Sequence, residues 1–286
     1  MSSTVSLRRR CADRAARASM YVAVVLALAP LVWIVVDLAR KAFAAIGGVG
    51  FFTDGPPGDP SAAGGGVANG ILGTLIMVGL ATLIAVPLGL MGAVYLAEFG
   101  GHRRLARAVR FFAEVMTGIP SIVFGIFVYT LVVVATRSFS ALAGALSLAL
   151  IMWPIVLTAC EEMLRQVPGE LREAALALGV PRWRVVVKVV LPTAAGGLAT
   201  GVLLAVARAA GETAPLLFTA LGNQFVSARL DRPMSALPLE IFRGATSPFT
   251  AANQRAWAGA LTVLVLVLVL SLAARRLGAR RAPGRP

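Results

Sequence analysis

Arg208 and Glu212 stand four residues apart in an apolar stretch, LLAVARAAGETAPLLFTA, from Leu203 to Ala220. A charge at the centre of a membrane helix costs about 2.5–3.5 kcal/mol on insertion scales. Two such residues need a reason. One reading is an internal ion pair, because residues i and i+4 share a helix face; the order here, basic residue first, is the poorer one. The other is the polar lining of an anion's pathway. A guanidinium is always charged, and its planar fork matches phosphate oxygens. The two readings are compatible, since a resting pair can open to admit a substrate. The neighbouring backbone is also unusual. Gly211 allows close packing, and Pro215 removes the hydrogen bond that would return to the Gly211 carbonyl. A kink or break is expected at residues 211–215, with Thr213 inside it. Broken helices at mid-membrane frame binding sites, although a kink can serve packing alone.

Those residues need helices to hold them. Of 286 residues, 58% are hydrophobic, and mean hydropathy is +0.83. The apolar residues come in runs of about twenty, the length that crosses a hydrocarbon core. The chain is therefore expected to be an all-α integral membrane protein. Six membrane helices are expected: Met20–Leu38, Ile71–Leu96, Val115–Ala135, Phe139–Thr158, Thr193–Leu221 and Ala256–Ala274. The first apolar run lacks a small-residue cleavage site and reads as a retained anchor.

Formal net charge is +14, but the basic residues lie in short clusters beside the apolar runs, without interleaved aromatics. Membrane topology explains that pattern better than nucleic acid does. Alternate segments carry 19 of the Lys and Arg residues: the N-terminal tail with Arg8, Arg9 and Arg10, the loop from Arg103 to Arg110, the loop from Arg165 to Lys188, and the tail from Arg275 to Arg285. The opposite side carries seven. Both termini are expected to be cytoplasmic. The outer stretch GGVGFFTDGPPGDPSAAGGG (47–66) reads as a flexible linker. It sets residues 1–66 apart from a main unit over 67–276, followed by a basic tail, 277–286. SALPLEIFRGA, in the last outer loop, is compatible with a short interfacial helix.

The cytoplasmic loop within 161–192 carries the sharpest pattern. Pro168 suits a first helical position, and Leu171, Ala174, Ala175 and Leu178 repeat at helical spacing. Gly179 suits the left-handed residue that closes a helix. Pro181 can start a second short helix, which Pro192 is expected to interrupt near the membrane. A small-residue apolar face favours docking into a partner's groove. The alternative, a helix resting on lipid, prefers bulkier anchors.

Glu173-Ala174-Ala175, three residues, Gly179, nine residues, Val189, one residue, then Leu191-Pro192 resembles the EAA loop of ABC importer permeases. The resemblance implies a type I, MetI-like core of five helices behind one anchor helix. It also implies that the loop docks on an ATP-binding cassette ATPase dimer, with Glu173 and Gly179 foremost and Ala174 and Ala175 as docking face. No Gly-Lys-Ser/Thr exists here, since Lys41 follows Arg40 and Lys188 follows Val187. A P-loop ATPase must therefore come from a partner.

Three further stretches resemble the phosphate permeases of the PstA type: 64–99, TGIPSIVFGIFVY (117–129) and LAVARAAGETAPLLFTA (204–220). That resemblance implies import of inorganic phosphate through a bacterial cell membrane. It implies a homologous permease subunit of the PstC type and an extracytoplasmic phosphate-binding protein as partners. Arg208, Gly211, Glu212, Thr213 and Pro215 would then line the pathway. Phosphate keeps an acidic proton that Glu212 can accept as a hydrogen bond, whereas fully deprotonated sulfate meets repulsion. Another oxyanion, such as molybdate or phosphonate, and a passive channel are the alternatives.

The remaining polar residues read as less informative. Pro120-Ser121 is placed to bend the third helix and offer a hydroxyl. Lone His102 reads as exposed and not catalytic. Glu161 and Glu162 read as a solvated boundary, with a structural contact to the ATPase as the alternative, and Asp37 and Glu98 as cheap charges at helix ends. Cys11 and Cys160 have no metal or disulfide spacing. No nucleophile–base pair, metal cluster or cofactor site is evident, so the chain reads as non-enzymatic.

Overall fold

A computed structural model describes residues 7–101 and 103–281. His102 and Arg285 lie outside the described residues, as do the side chains of Arg8, Arg10, Arg275, Arg280 and Arg281. The described chain is helical, with only an isolated bridge between Leu221 and Met234. Five helices are long and apolar enough to cross a membrane, and a bent pair of helices makes a sixth candidate.

Helix α1 (Leu7–Ala45) extends past its apolar run at both ends. Its apolar window is wholly unburied. It touches the rest of the molecule near its C-terminal end, where buried Ala42 joins Phe51, Val67, Leu237 and Ala258. The segment that follows is ordered by specific bonds, a correction to the flexible linker. Its short helix α2 (Gly50–Thr53) buries Phe51, and the amides of Gly66, Val67 and Ala68 bond back to the carbonyls of Gly55, Phe51 and Asp54. Arg255 clasps it, donating to the carbonyls of Ala62 (2.7 Å), Gly64 (3.2 Å) and Pro60 (3.0 Å). Gly/Pro composition here permits tight turns rather than disorder.

The core is built on α3 (Ala68–Val94), which continues through a π-turn, Tyr95–Phe99. The third expected span proves to be two helices. Helix α4 (Arg104–Gly118) and the segment Ser121–Thr136 meet at 103°. That segment comprises α5 (Ser121–Val128), a π-turn at Tyr129–Val133 and α6 (Val134–Thr136). Pro120 causes the turn: the residue before a proline is pushed out of the helical region, and Ile119 is extended at ψ 131°. Hydropathy alone cannot register this, because the apolar run continues across the corner.

Helix α7 (Ala141–Arg165) is the central span, its apolar window 67% buried. Ser140 caps it, the hydroxyl accepting from the Ala143 amide at 3.2 Å. It packs most extensively on α3. There a Cβ on Gly89 would come within 2.7 Å of Val156, and one on Gly92 within 2.8 Å of Leu157. Small residues at such contacts let helices approach closely in a bilayer.

Helix α8 (Gly169–Ala177) starts after Pro168, and α9 (Arg182–Val185) after Pro181. A π-turn at Val186–Val190 then leads without a break into α10 (Leu191–Ala210). The expected interruption at Pro192 is absent. The wider π-turn ends just ahead of the proline, where an α-helix would suffer the ring's clash with the Lys188 carbonyl. The chain does break at Gly211–Thr213 before α11 (Ala214–Thr219). Helix α12 (Leu237–Ala245) is the short helix expected in SALPLEIFRGA, with Leu237, Pro238, Leu239 and Gly244 buried. Helix α13 (Thr250–Arg281) closes the bundle against α1, α10 and α12.

Candidate functional site

The break between α10 and α11 gathers five of the sequence-selected residues. Arg208 ends α10, Gly211 and Glu212 form the turn, Thr213 precedes α11, and Pro215 sits in its first turn. The Arg208 Nε lies 3.7 Å from the Glu212 Oε1. The two are near enough to attract but beyond hydrogen-bonding distance. Their exposures differ: the Arg208 side chain is 59% exposed and that of Glu212 only 14%. The cation is therefore accessible while the carboxylate is sheltered beside it.

Arg208 also lines a cavity of about 80 Å³ in the elbow between α4 and α5, with Thr117, Ser121, Phe124 and Ile155. That space is large enough for several waters. Ser121, whose proline-made bend is confirmed above, is thus brought beside Arg208 from 87 residues away.

Helix α11 is fixed tightly. Thr219 donates to the Pro215 carbonyl at 2.8 Å, and its hydroxyl meets that of Ser147 on α7 at 3.4 Å. Its carbonyl accepts the Ser140 amide at 3.1 Å. Close packing falls on Gly125 rather than on Gly211. A Cβ at Gly125 would stand 2.6 Å from the Pro215 Cα, whereas one at exposed Gly211 meets only the Arg208 carbonyl at 3.7 Å. Gly125 was visible in the sequence as a glycine within an apolar run, but nothing marked its partner.

The second group lies at the other end. Helix α8 presents Glu173 and Ala174 to solvent, leaves Ala175 half-buried and contains no fully buried residue. Gly179 closes it at φ +74°, and the amides of Gly179 and Val180 bond to the carbonyls of Leu176 (2.9 Å) and Ala175 (3.3 Å). This is the Schellman arrangement, in which a left-handed residue satisfies the last carbonyls. Leu191 and Pro192 are not part of this helix; they begin α10 beyond the π-turn.

Near this end of the bundle lie two carboxylates that the sequence alone marks only as a helix-end charge and a solvated boundary. Glu98 and Glu161 are each 7% exposed. Glu161 pairs with Arg110 at 2.7 Å and Arg165 at 2.8 Å, which corrects its assignment to a solvated boundary; Glu162 is exposed. Glu98 pairs with Arg172 of α8 at 2.8 Å, and Arg182 donates to its backbone carbonyl. Buried carboxylates require such partners. The basic loops were legible, but not which arginine would reach which acid. Among the described residues no cluster of His, Cys, Asp and Glu could hold a metal, and Cys11 and Cys160 are free thiols.

Residues 85–283 match the family model described as binding-protein-dependent transport system inner membrane component. The chain is 46% identical over 251 residues to the phosphate transport system permease protein PstA of Yersinia pestis, covering 88% of this chain and 84% of that one. It is 43% identical over 276 residues to PstA 1 of Mycobacterium tuberculosis H37Rv, covering 94% and 88%. Among solved structures, a chain of a bacterial alginate ABC transporter superposes with TM-score 0.65 at 15% identity, covering 98% of this chain and 99% of that one. An inward-facing MetNI methionine transporter chain gives 0.60 at 19%, covering 76% and 96%. Those two identities speak to the fold alone, which is that of type I ABC importer permeases. The chain belongs to the binding-protein-dependent transport system inner membrane components, within the PstA phosphate permease family.

Proposed function

We propose that this chain is a permease subunit of an ATP-driven importer of inorganic phosphate, and that Arg208, Gly211, Glu212, Thr213 and Pro215 line its pathway. The carrying observation is the open guanidinium of Arg208 at a helix break, beside sheltered Glu212 and the Ser121 cavity. That its relatives are phosphate transport permeases supports phosphate as the substrate. Arg208 attracts the anion, and Glu212 accepts a hydrogen bond from its remaining P–OH. Before substrate arrives, Glu212 holds the guanidinium at the pathway wall by the 3.7 Å ion pair.

In this reading both termini are cytoplasmic. A homologous permease of the PstC type completes the channel, and a phosphate-binding protein delivers substrate at the outer loops. An ATPase dimer docks on α8 through Glu173, Ala174, Ala175 and the Gly179 cap, while Leu191 and Pro192 lead the loop back into the bundle. Residues 67–276 form the transport unit. The anchor unit, 1–66, and the tail, 277–286, flank it.

The test is uptake of ³²P-phosphate by the assembled complex in proteoliposomes, with ATP inside and binding protein outside. Wild type is compared with Arg208→Gln, in the presence of excess sulfate or molybdate. The expected result is ATP-dependent uptake that resists both competitors and is lost in the variant, while the variant still assembles. Competition by molybdate would overturn the substrate assignment. Normal uptake by Arg208→Gln would remove Arg208 from the pathway.

A further inference from the structure

We infer that Glu98 and Arg172 form a rigid joint that transmits movement of α8 into the membrane helices, making both positioning residues for the coupling of ATP hydrolysis to transport. This rests on the importer reading above. The Arg172 guanidinium uses every one of its nitrogens. Nε lies 3.0 Å from Glu98 Oε1 and Nη2 lies 2.8 Å from it. The same Nη2 donates to the Leu164 carbonyl at 2.8 Å, and Nη1 to the Val167 carbonyl at 2.5 Å. One planar group therefore ties α8 to the end of α3 and to the end of α7. Two of its nitrogens converge on Oε1, and Nε also lies 3.3 Å from Oε2, so the contact fixes direction as well as distance.

Two features make this more than a surface ion pair. The Glu98 side chain is only 6% exposed, so removing Arg172 would leave a buried charge without its partner. Helix α8 buries no residue of its own, so Arg172 is its polar attachment to the bundle. The far end of α3 is held equally firmly. Thr74 accepts the Leu237 amide at 2.9 Å, and Asn69 donates to the Asn223 carbonyl at 2.7 Å and to Glu240 at 2.9 Å. The 27 residues of α3, Pro87 among them, run unbroken for roughly 40 Å at 1.5 Å per residue. A push on α8 is thus delivered to the outer loops through one continuous helix. The Glu161 pairs differ, since they hold α4 and α7 and do not involve α8.

The test uses the complete reconstituted complex and compares wild type, Glu98→Gln, Arg172→Met and the double variant. Retention of the ATPase subunits, ATP hydrolysis and phosphate uptake are measured together. The expected result is unchanged retention, hydrolysis within twofold of wild type, and at least a tenfold fall in phosphate moved per ATP. The double variant should be no worse than the worse single one. Uptake and hydrolysis falling in step, or an unchanged ratio, would overturn the joint. If Arg172→Met does not assemble, Glu98→Gln and Arg172→Lys carry the test; the lysine keeps the charge, loses the fork and should fall between.

A second arm does not depend on the substrate. Spin labels on Leu75→Cys and Glu170→Cys, with Cys11 and Cys160 replaced by Ala, report the distance between α3 and α8. It should stay narrow and unmoved on adding ATP with vanadate in the otherwise native complex, and broaden when the joint is cut. A distance insensitive to Glu98→Gln would overturn the joint. Wild type that takes up no phosphate would count against the importer reading and leave this arm to judge the joint.

Discussion

Single atoms decide several properties of the proposed pathway. Gly125 faces Pro215 so closely that a methyl group has no room: both contacting groups are backbone, and the nearest is 2.6 Å from the added Cβ. Overpacking of this kind costs about 1–3 kcal/mol. Gly125→Ala should therefore lower the thermal unfolding midpoint of the detergent-solubilised complex by several degrees. Gly118→Ala, where nothing lies within 4 Å, should leave it in place. Arg208, Glu212 and Pro215 were legible in the sequence because each is an anomaly in an apolar run. Glu98 and Glu161 were not. Their partners Arg172 and Arg110 lie 74 and 51 residues away, and a basic loop offers several arginines with equal claim. Only the packing of the helix ends selects among them.

Among the elements, α8, the α10–α11 break and a bend at Pro120 were legible, but the sharpness of the elbow between α4 and α5 was not. Gly179, the spacing of Leu171 and Ala174, and the flanking prolines all act locally, so sequence reports them. The 103° turn also comes from a local proline, but the apolar run hides its consequence. Two outcomes belong at this scale. Gly179→Ala places a Cβ at φ +74°, which costs about 1–2 kcal/mol; co-purification of the ATPase subunits with the permease should weaken severalfold. Pro215→Ala returns an amide hydrogen near the Gly211 carbonyl, favouring continuous helix over the break. Phosphate uptake should fall at least tenfold, while Pro192→Ala, beyond the π-turn, should change it little. Equal losses in the two variants would mean that proline content, not the break, matters.

At the level of the whole molecule, the bundle divides unevenly. The main core is built largely from α3, α7 and α10, whereas α1 presents Met20 to Val36 entirely to its surroundings. Replacing Met20–Val36 with an unrelated Leu/Ala span of equal length should therefore preserve uptake to within about twofold. Substitutions of Ala42 or Phe51 by Asp, in the outer contact, should not be tolerated; uptake alongside protease resistance of the outer loop would distinguish the two cases. The linker follows the same logic. Arg255→Ala removes three carbonyl contacts at once, and the outer loop should then become sensitive to added protease.

The meeting of Ala42 with Ala258 also sets a schedule for biogenesis. At ~5–20 residues per second, the roughly 200 residues between them take on the order of 10–40 s to synthesise. For that interval α1 resides in the bilayer with its docking site not yet made. Ribosome-bound chains stalled before Thr250 should hold α1 in a state that crosslinks to lipid or insertion machinery, and release of the final helix should end it.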